Sequence, residues 1–184
     1  MTGLVVLVNG LPGAGKTTLA RSLSQALGLP LLSKDTIKEA HAGVLGAEPP
    51  YDWTQRRWSM ALGAAASQTM WAVLADTPGG AVLESCWPTD VRHFVVAGLR
   101  RAGRRTPLEV WCDVPLEVAR LRFERRFPRH PIHGDLPTDL EWQRWQETSQ
   151  PLGIGPVLRV DTTRPVDLDA VTAWVRQRAP ATLA

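Results

Sequence analysis

The sequence predicts an α/β fold, a five-stranded and mainly parallel sheet with helices on both faces. Three observations carry that prediction. Leu4 to Val8 is an unbroken apolar, β-branched run ending in Asn9-Gly10, the pattern of a strand buried on both faces. Strand-length apolar runs then alternate with helix-length segments, as in successive βαβ units. The chain of 184 residues is long enough for one such domain with a core and too short for two ordinary ones.

Taken in order, the second element is a helix from Lys16 to about Leu27, closed by Gly28. Leu29 to Leu32 is a short strand, and Ser33 is placed to cap a helix starting near Asp35. A Pro-Pro loop between Ala47 and Tyr51 precedes a long helix, Asp52 to Ala75, which carries Trp53, Trp58, Met60, Met70 and Trp71. Ala81 to Glu84 is the third strand, Pro88 to Ala102 a helix opened by proline, and Leu108 to Cys112 the fourth strand. Pro115 to Phe127 is an Arg-rich helix, Pro128 to Pro137 a loop dense in Pro, His and Gly, and Thr138 to Thr148 a polar helix. Val157 to Val160 is the fifth strand and Val166 to Arg178 the closing helix. One domain over 1–184 is expected, with a lid over about 120–137.

Composition excludes several classes. With 44% hydrophobic and 21% charged residues the chain is neither disordered nor low in complexity. Its apolar runs are far shorter than the roughly 20 residues that cross a bilayer. No basic flank precedes an apolar signal segment, so a cytoplasmic protein is expected. Cys86 and Cys112 have no partner at metal-ligand spacing and read as buried small hydrophobes. The net charge of +3 leaves nucleic acid open without favouring it, because the arginines are spread along the chain and concentrate only between Arg100 and Arg129. The only lysines, Lys16, Lys34 and Lys38, fall in one stretch, which suggests sites that need a compact ammonium.

The strongest chemical signal is G-L-P-G-A-G-K-T, running through Gly10, Leu11, Pro12, Gly13, Ala14, Gly15, Lys16 and Thr17, with Thr18 beyond it. It matches G-x-x-x-x-G-K-[ST] in its required context of strand, loop and helix, which makes the fold that of a P-loop NTPase. Backbone N–H groups and the helix N-terminus wrap phosphate oxygens of ATP, Lys16 reaches the β and γ phosphates, and the Thr17 hydroxyl takes a Mg²⁺ position. The sole Asn is Asn9, which excludes the usual Asn-Lys-x-Asp guanine readout. Asp76-Thr77-Pro78-Gly79 spells a switch-like D-x-x-G but precedes the third strand and reads as a turn. With no acidic pair after an apolar strand, a small kinase remains.

On these motifs, together with L-L-S-K-D-T-I-K at Leu31 to Lys38, R-H-P-I-H at Arg129 to His133 and V-D-T-T at Val160 to Thr163, the chain resembles a group of small P-loop kinases. The group comprises chloramphenicol phosphotransferase, zeta toxins and the kinase domain of polynucleotide kinases. Lys38 stands where that group commonly has Arg, and Glu84 where an Asp often ends the third strand.

Asp35, just past the second strand at the carboxyl edge of the sheet, is the candidate base for a substrate hydroxyl; the alternative is a carboxylate that only favours the helix N-terminus. Lys38, one turn on, is a candidate contact to substrate or phosphate, or a solvated lysine. Glu84, closing an apolar strand, is a candidate for Mg²⁺ through water or for substrate. Asp113 is read as a helix cap. In the lid, Arg122 and Arg126 share one helix face and Arg125 and Arg129 another, so that Arg122 and Arg126 are the candidates for stabilising the transferred phosphoryl group. Arg129 and His130 are candidate substrate contacts, and Trp53 and Trp87 candidate walls of an apolar acceptor pocket near Glu84. Three functions fit: ATP-dependent transfer to a small-molecule hydroxyl, an antibiotic or nucleoside included; a polynucleotide or nucleotide-sugar kinase; and a non-catalytic NTP-binding regulator.

Overall fold

The computed structural model describes residues 3–127, 130–134 and 136–179. Five parallel strands, β1 (Leu4–Gly10), β2 (Leu31–Ser33), β3 (Gly80–Glu84), β4 (Leu108–Asp113) and β5 (Val157–Asp161), form one sheet in the order β2-β3-β1-β4-β5. Seven α-helices connect them and complete the described chain: α1 (Lys16–Leu27), α2 (Lys34–Leu45), α3 (Gln55–Ala75), α4 (Arg92–Arg101), α5 (Leu116–Glu124), α6 (Asp139–Thr148) and α7 (Leu168–Arg178). This is the α/β P-loop NTPase fold that the sequence predicts. No helix among the described residues is long and apolar enough to cross a membrane.

Every residue of β1 is buried, which explains its continuous apolar sequence. Leu4, Val6 and Val8 pack with Leu19 and Leu23 of α1, Ala119 of α5 and Val175 of α7. Val5 and Leu7, pointing the other way, pack with Met70 and Leu74 of α3 and Leu99 of α4. Because all strands are parallel, their carboxyl ends share one edge. There Glu84 lies opposite both Val8 and Ser33, and Gly10 lies opposite Cys112.

Several boundaries differ from the sequence-based expectation, each for a local reason. Helix α3 begins at Gln55 rather than Asp52 because Thr54 caps it, its side chain accepting from the Arg57 N–H at 3.2 Å. Pro88 to Ala102 divides into a 3₁₀ turn, Thr89–Val91, and α4. Helix α7 starts at Leu168, where Asp167 accepts from the Ala170 N–H at 2.9 Å. Ser33 occupies the cap position of α2, but its hydroxyl serves Glu84 instead. Asp113 is not the cap of α5; that position is Pro115, and the Asp113 carboxylate faces Arg159 at 3.5 Å. Cys112 lies in the core and burial pushes its thiol up to about 12, whereas Cys86 is half-buried, its thiol also raised by burial.

Candidate active site

The loop between β1 and α1 is anchored from below and open above. Leu11 and Ala14 are buried in the core, and the Ala14 N–H donates to the Leu11 carbonyl at 3.0 Å. Gly13, at φ 85°, packs against α5 so closely that a Cβ would overlap the Ala119 carbonyl oxygen. Only glycine holds both the left-handed conformation and that contact. Lys16, 8% exposed, donates through Nζ to the Leu11 carbonyl at 2.8 Å, while Thr17 and Thr18 lie on the first turn of α1 and line the cavity above the loop.

That cavity has a volume of about 370 Å³. It is lined by Pro12, Gly13, Gly15 and Lys16 to Thr18 on the phosphate side and by Asp35, Glu84 and Cys86 at the ends of β2 and β3. Arg126, His133, Glu141 and Trp145 close it from the α5–α6 region. Glu84 is 3% exposed; its Oε2 accepts from Ser33 Oγ at 2.7 Å and its Oε1 from Thr17 Oγ1 at 3.4 Å. A carboxylate that would cost several kcal/mol to bury alone is thus held by two hydroxyls beside the phosphate loop. Backbone N–H groups at a helix N-terminus, an ammonium, a hydroxyl and a buried carboxylate form a donor set that fits a nucleotide triphosphate with Mg²⁺.

A second cavity, of about 730 Å³, shares Gly13, Gly15 and Thr18 with the first and runs between α5 and the segment after β5. Arg122, Arg125 and Arg126 all line it, and Arg126 lines both cavities. Arg122 Nη1 donates to the Thr162 carbonyl at 2.9 Å and Nη2 to that of Thr163 at 3.3 Å. Arg126 Nε donates to the Arg122 carbonyl at 3.0 Å. The helix ends at Glu124, and Arg125 and Arg126 lie on the turn beyond it, so the helical spacing that would separate Arg125 from Arg126 does not extend to them.

Of the other sequence candidates, Lys38 is buried and donates to Ser59 Oγ at 2.7 Å, linking α2 to α3. Trp87 is 5% exposed, stacked on Trp71 at 6.5 Å between centroids, and lines a third cavity rather than the one around Glu84. Trp53 lines neither; it meets Trp58 edge-on at 5.9 Å, with the Arg57 guanidinium 4.1 Å from its ring centre. His130 caps the 3₁₀ turn Pro131–His133, its Nδ1 accepting from the Ile132 N–H at 3.3 Å. Its neighbour His133 reaches the cavity instead and pairs with Glu39 at 2.7 Å. Arg129 lies outside the described residues.

Residues 5–152 match the family AAA_33, described as an AAA domain. A curated shikimate kinase from Symbiobacterium thermophilum is 35% identical over 119 residues, 62% of this chain and 59% of its own length. The chain therefore spans about three fifths of that relative. A candidate kinase of known structure from Chloroflexus aurantiacus is 33% identical, with a TM-score of 0.82 over 96% of this chain and 98% of the other. Shikimate kinase from Acinetobacter baumannii in complex with shikimate shares the fold at 17% identity, with a TM-score of 0.55 over 96% of this chain and 90% of the other. The match over 5–152, most of the chain, settles its membership: the protein belongs to the AAA_33 family of P-loop domains.

Proposed function

We propose that the protein is an ATP-dependent kinase that transfers the γ-phosphoryl group to a hydroxyl of a small molecule. One observation carries the reading: Lys16 and Thr17 of the phosphate loop and the carboxylate of Asp35 line a single cavity of about 370 Å³. Asp35 also stands in the first turn of α2, where a carboxylate favours the helix N-terminus, and Asp35→Asn separates the two roles. Likeness to the Symbiobacterium and Chloroflexus proteins supports a kinase of this size and shape.

In this reading Lys16 leaves the Leu11 carbonyl to hold β and γ phosphate oxygens, and the N–H groups from Gly13 to Thr17 bind the rest. Thr17, with Glu84 beside it, would hold Mg²⁺, which when bound would offset charge on the phosphates. Asp35 accepts the proton of the acceptor hydroxyl and orients its oxygen toward the phosphorus. Arg126, reaching both cavities, is the cation for charge on the transferred group. The described residues of 120–137 would act as the lid, with 128, 129 and 135 lying outside the described residues. Among acceptors, an antibiotic or nucleoside fits the group of kinases that the motifs resemble.

The test is release of ADP from Mg²⁺-ATP in the presence of sugars, nucleosides, antibiotics, hydroxy acids and oligonucleotides. Asp35→Asn should keep ATP affinity and lose roughly 10²-fold or more in turnover, the range for removal of a general base. Undiminished turnover in that variant would overturn the assignment, and phosphorylation of oligonucleotides alone would replace the small molecule with a polynucleotide.

A further inference from the structure

Helices α3 and α4 face each other across a cleft of about 880 Å³, within the roughly 300–1,000 Å³ usual for small-molecule pockets. On α3 the positions facing it are Ala64, Ser67, Gln68 and Trp71, spaced i, i+3, i+4, i+7, and the first two are too small to fill it. Its floor is aromatic and fixed. Trp71 is stacked on Trp87, and Gly98 of α4 lies so close that a Cβ there would strike the Trp71 indole. Phe94, 65% exposed, adds an apolar rim. Cations line the cleft at Lys34, Arg100 and Arg101, and no carboxylate does among the described residues. Among those same residues, Arg100 and Arg101 form no ion pair. Cys86 and Pro88 are walls common to this cleft and to the cavity that holds Asp35.

Aromatic floor, small-residue wall and a cationic lining select one ligand chemistry: a flat or chain-like apolar body bearing an anionic group. We infer that the acceptor extends past Cys86 and Pro88 into the α3–α4 cleft with such an arm, an aromatic or aliphatic acid, while its hydroxyl stays at Asp35. The inference rests on the kinase reading for the hydroxyl end and on the cleft alone for the arm.

Two measurements test it. In calorimetric titrations 2-naphthoate should bind the wild-type protein, and 2-naphthylmethylammonium, of the same shape and opposite charge, at least tenfold more weakly. Ala64→Trp, which fills the cleft from an exposed position of α3, and the double variant Arg100→Glu/Arg101→Glu should each weaken 2-naphthoate at least tenfold. Both should keep the thermal shift given by Mg²⁺-ATP, which certifies folding. Equal binding of the two probes, or naphthoate affinity unchanged in both variants, overturns the site.

In turnover, 4-(hydroxymethyl)benzoate should exceed glycerol as acceptor, and Ala64→Trp should raise its KM at least tenfold with little change in kcat. Preference for glycerol, or a KM indifferent to Ala64→Trp, overturns the arm while leaving the kinase. Naphthoate binding that Ala64→Trp abolishes, combined with full turnover in Asp35→Asn, supports the cleft and removes the proposed base.

Discussion

The side-chain amide of Asn9 donates to Oε1 of Glu109 at 3.0 Å, and both residues are almost completely buried. Asn9 Oδ1 accepts from the N–H groups of Gly10 at 2.8 Å and Trp87 at 2.9 Å, and its amide also donates to the Trp87 carbonyl at 3.0 Å. Glu109 accepts from the Leu152 N–H at 2.9 Å and the Gly153 N–H at 3.0 Å. Two side chains thereby stitch the start of the phosphate loop to the segment after β3 and to the loop before β5. Glu109→Gln puts an amide donor where an oxygen accepted. With buried N–H groups left facing it, stability should fall by roughly 1–3 kcal/mol. Urea denaturation measures this, and a change below about 0.5 kcal/mol would mean that the network relaxes freely.

The fold is legible in the sequence because hydrophobic period and motif agree: Leu4 to Val8 reads as a two-sided buried strand, and the motif from Gly10 to Thr17 requires a strand before it and a helix after it. Motif and period pass over Asn9 and Glu109, although a carboxylate between Leu108 and Val110 in an otherwise apolar strand is itself a signal of a buried hydrogen-bonded network. His133, rather than His130, reaches the cavity because His130 turns its Nδ1 back to accept from the Ile132 N–H, and no period in a Pro-rich loop predicts that. Only residue type pairs Trp53 with Trp87; chain direction sends one to the start of α3 and the other under α4.

Lys16→Ala should abolish the thermal stabilisation given by Mg²⁺-ATP, because the ammonium is the chief side-chain charge opposing the β and γ phosphates. The unliganded protein should melt nearly as before, since what the substitution removes there is a hydrogen bond to the Leu11 carbonyl. Differential scanning with ATP and with ADP provides the check, and an unaltered shift would remove the nucleotide site.

Arg122 and Arg126 should separate kinetically. Arg122 holds the carbonyls of Thr162 and Thr163, so Arg122→Ala should loosen the segment after β5 and raise the KM for ATP. Arg126 lines the cavity shared with Asp35, so Arg126→Ala should lower kcat by roughly tenfold or more at saturating ATP. Steady-state kinetics on both variants decides it; the reverse pattern would exchange their roles.

Acid should weaken the cap of α6. The Thr138 N–H donates to Glu141 Oε2 at 2.9 Å and the Thr138 hydroxyl accepts from the Glu141 N–H, a reciprocal box. The backbone bond from Thr138 holds the Glu141 carboxyl below its ordinary 4.5, with Arg56 helping. A lowered pKa in the folded state stabilises above about 4.5, and the contribution fades as pH falls through the lower folded value. Glu141→Gln should therefore cost roughly 0.5–1 kcal/mol at pH 7, discounted for its partial exposure, and nothing once wild-type Glu141 is protonated. Denaturation midpoints from pH 7 down to pH 3 would reveal the convergence, and a pH-independent gap would assign the loss to packing.

The crossover from β2 to β3 bears on how such a protein can be re-engineered. Both strands are neighbours in the sheet, and the whole connection, including α2 and α3, is one uninterrupted piece of chain that starts beside Asp35 and returns at Gly80. Exchanging 36–78 for the equivalent stretch of a related protein would leave all four strand pairings and the phosphate loop untouched. The α3 wall of the proposed acceptor cleft would thereby become a transplantable cassette, with Asp35, the α4 wall and the phosphate loop kept in the parts of the chain on either side.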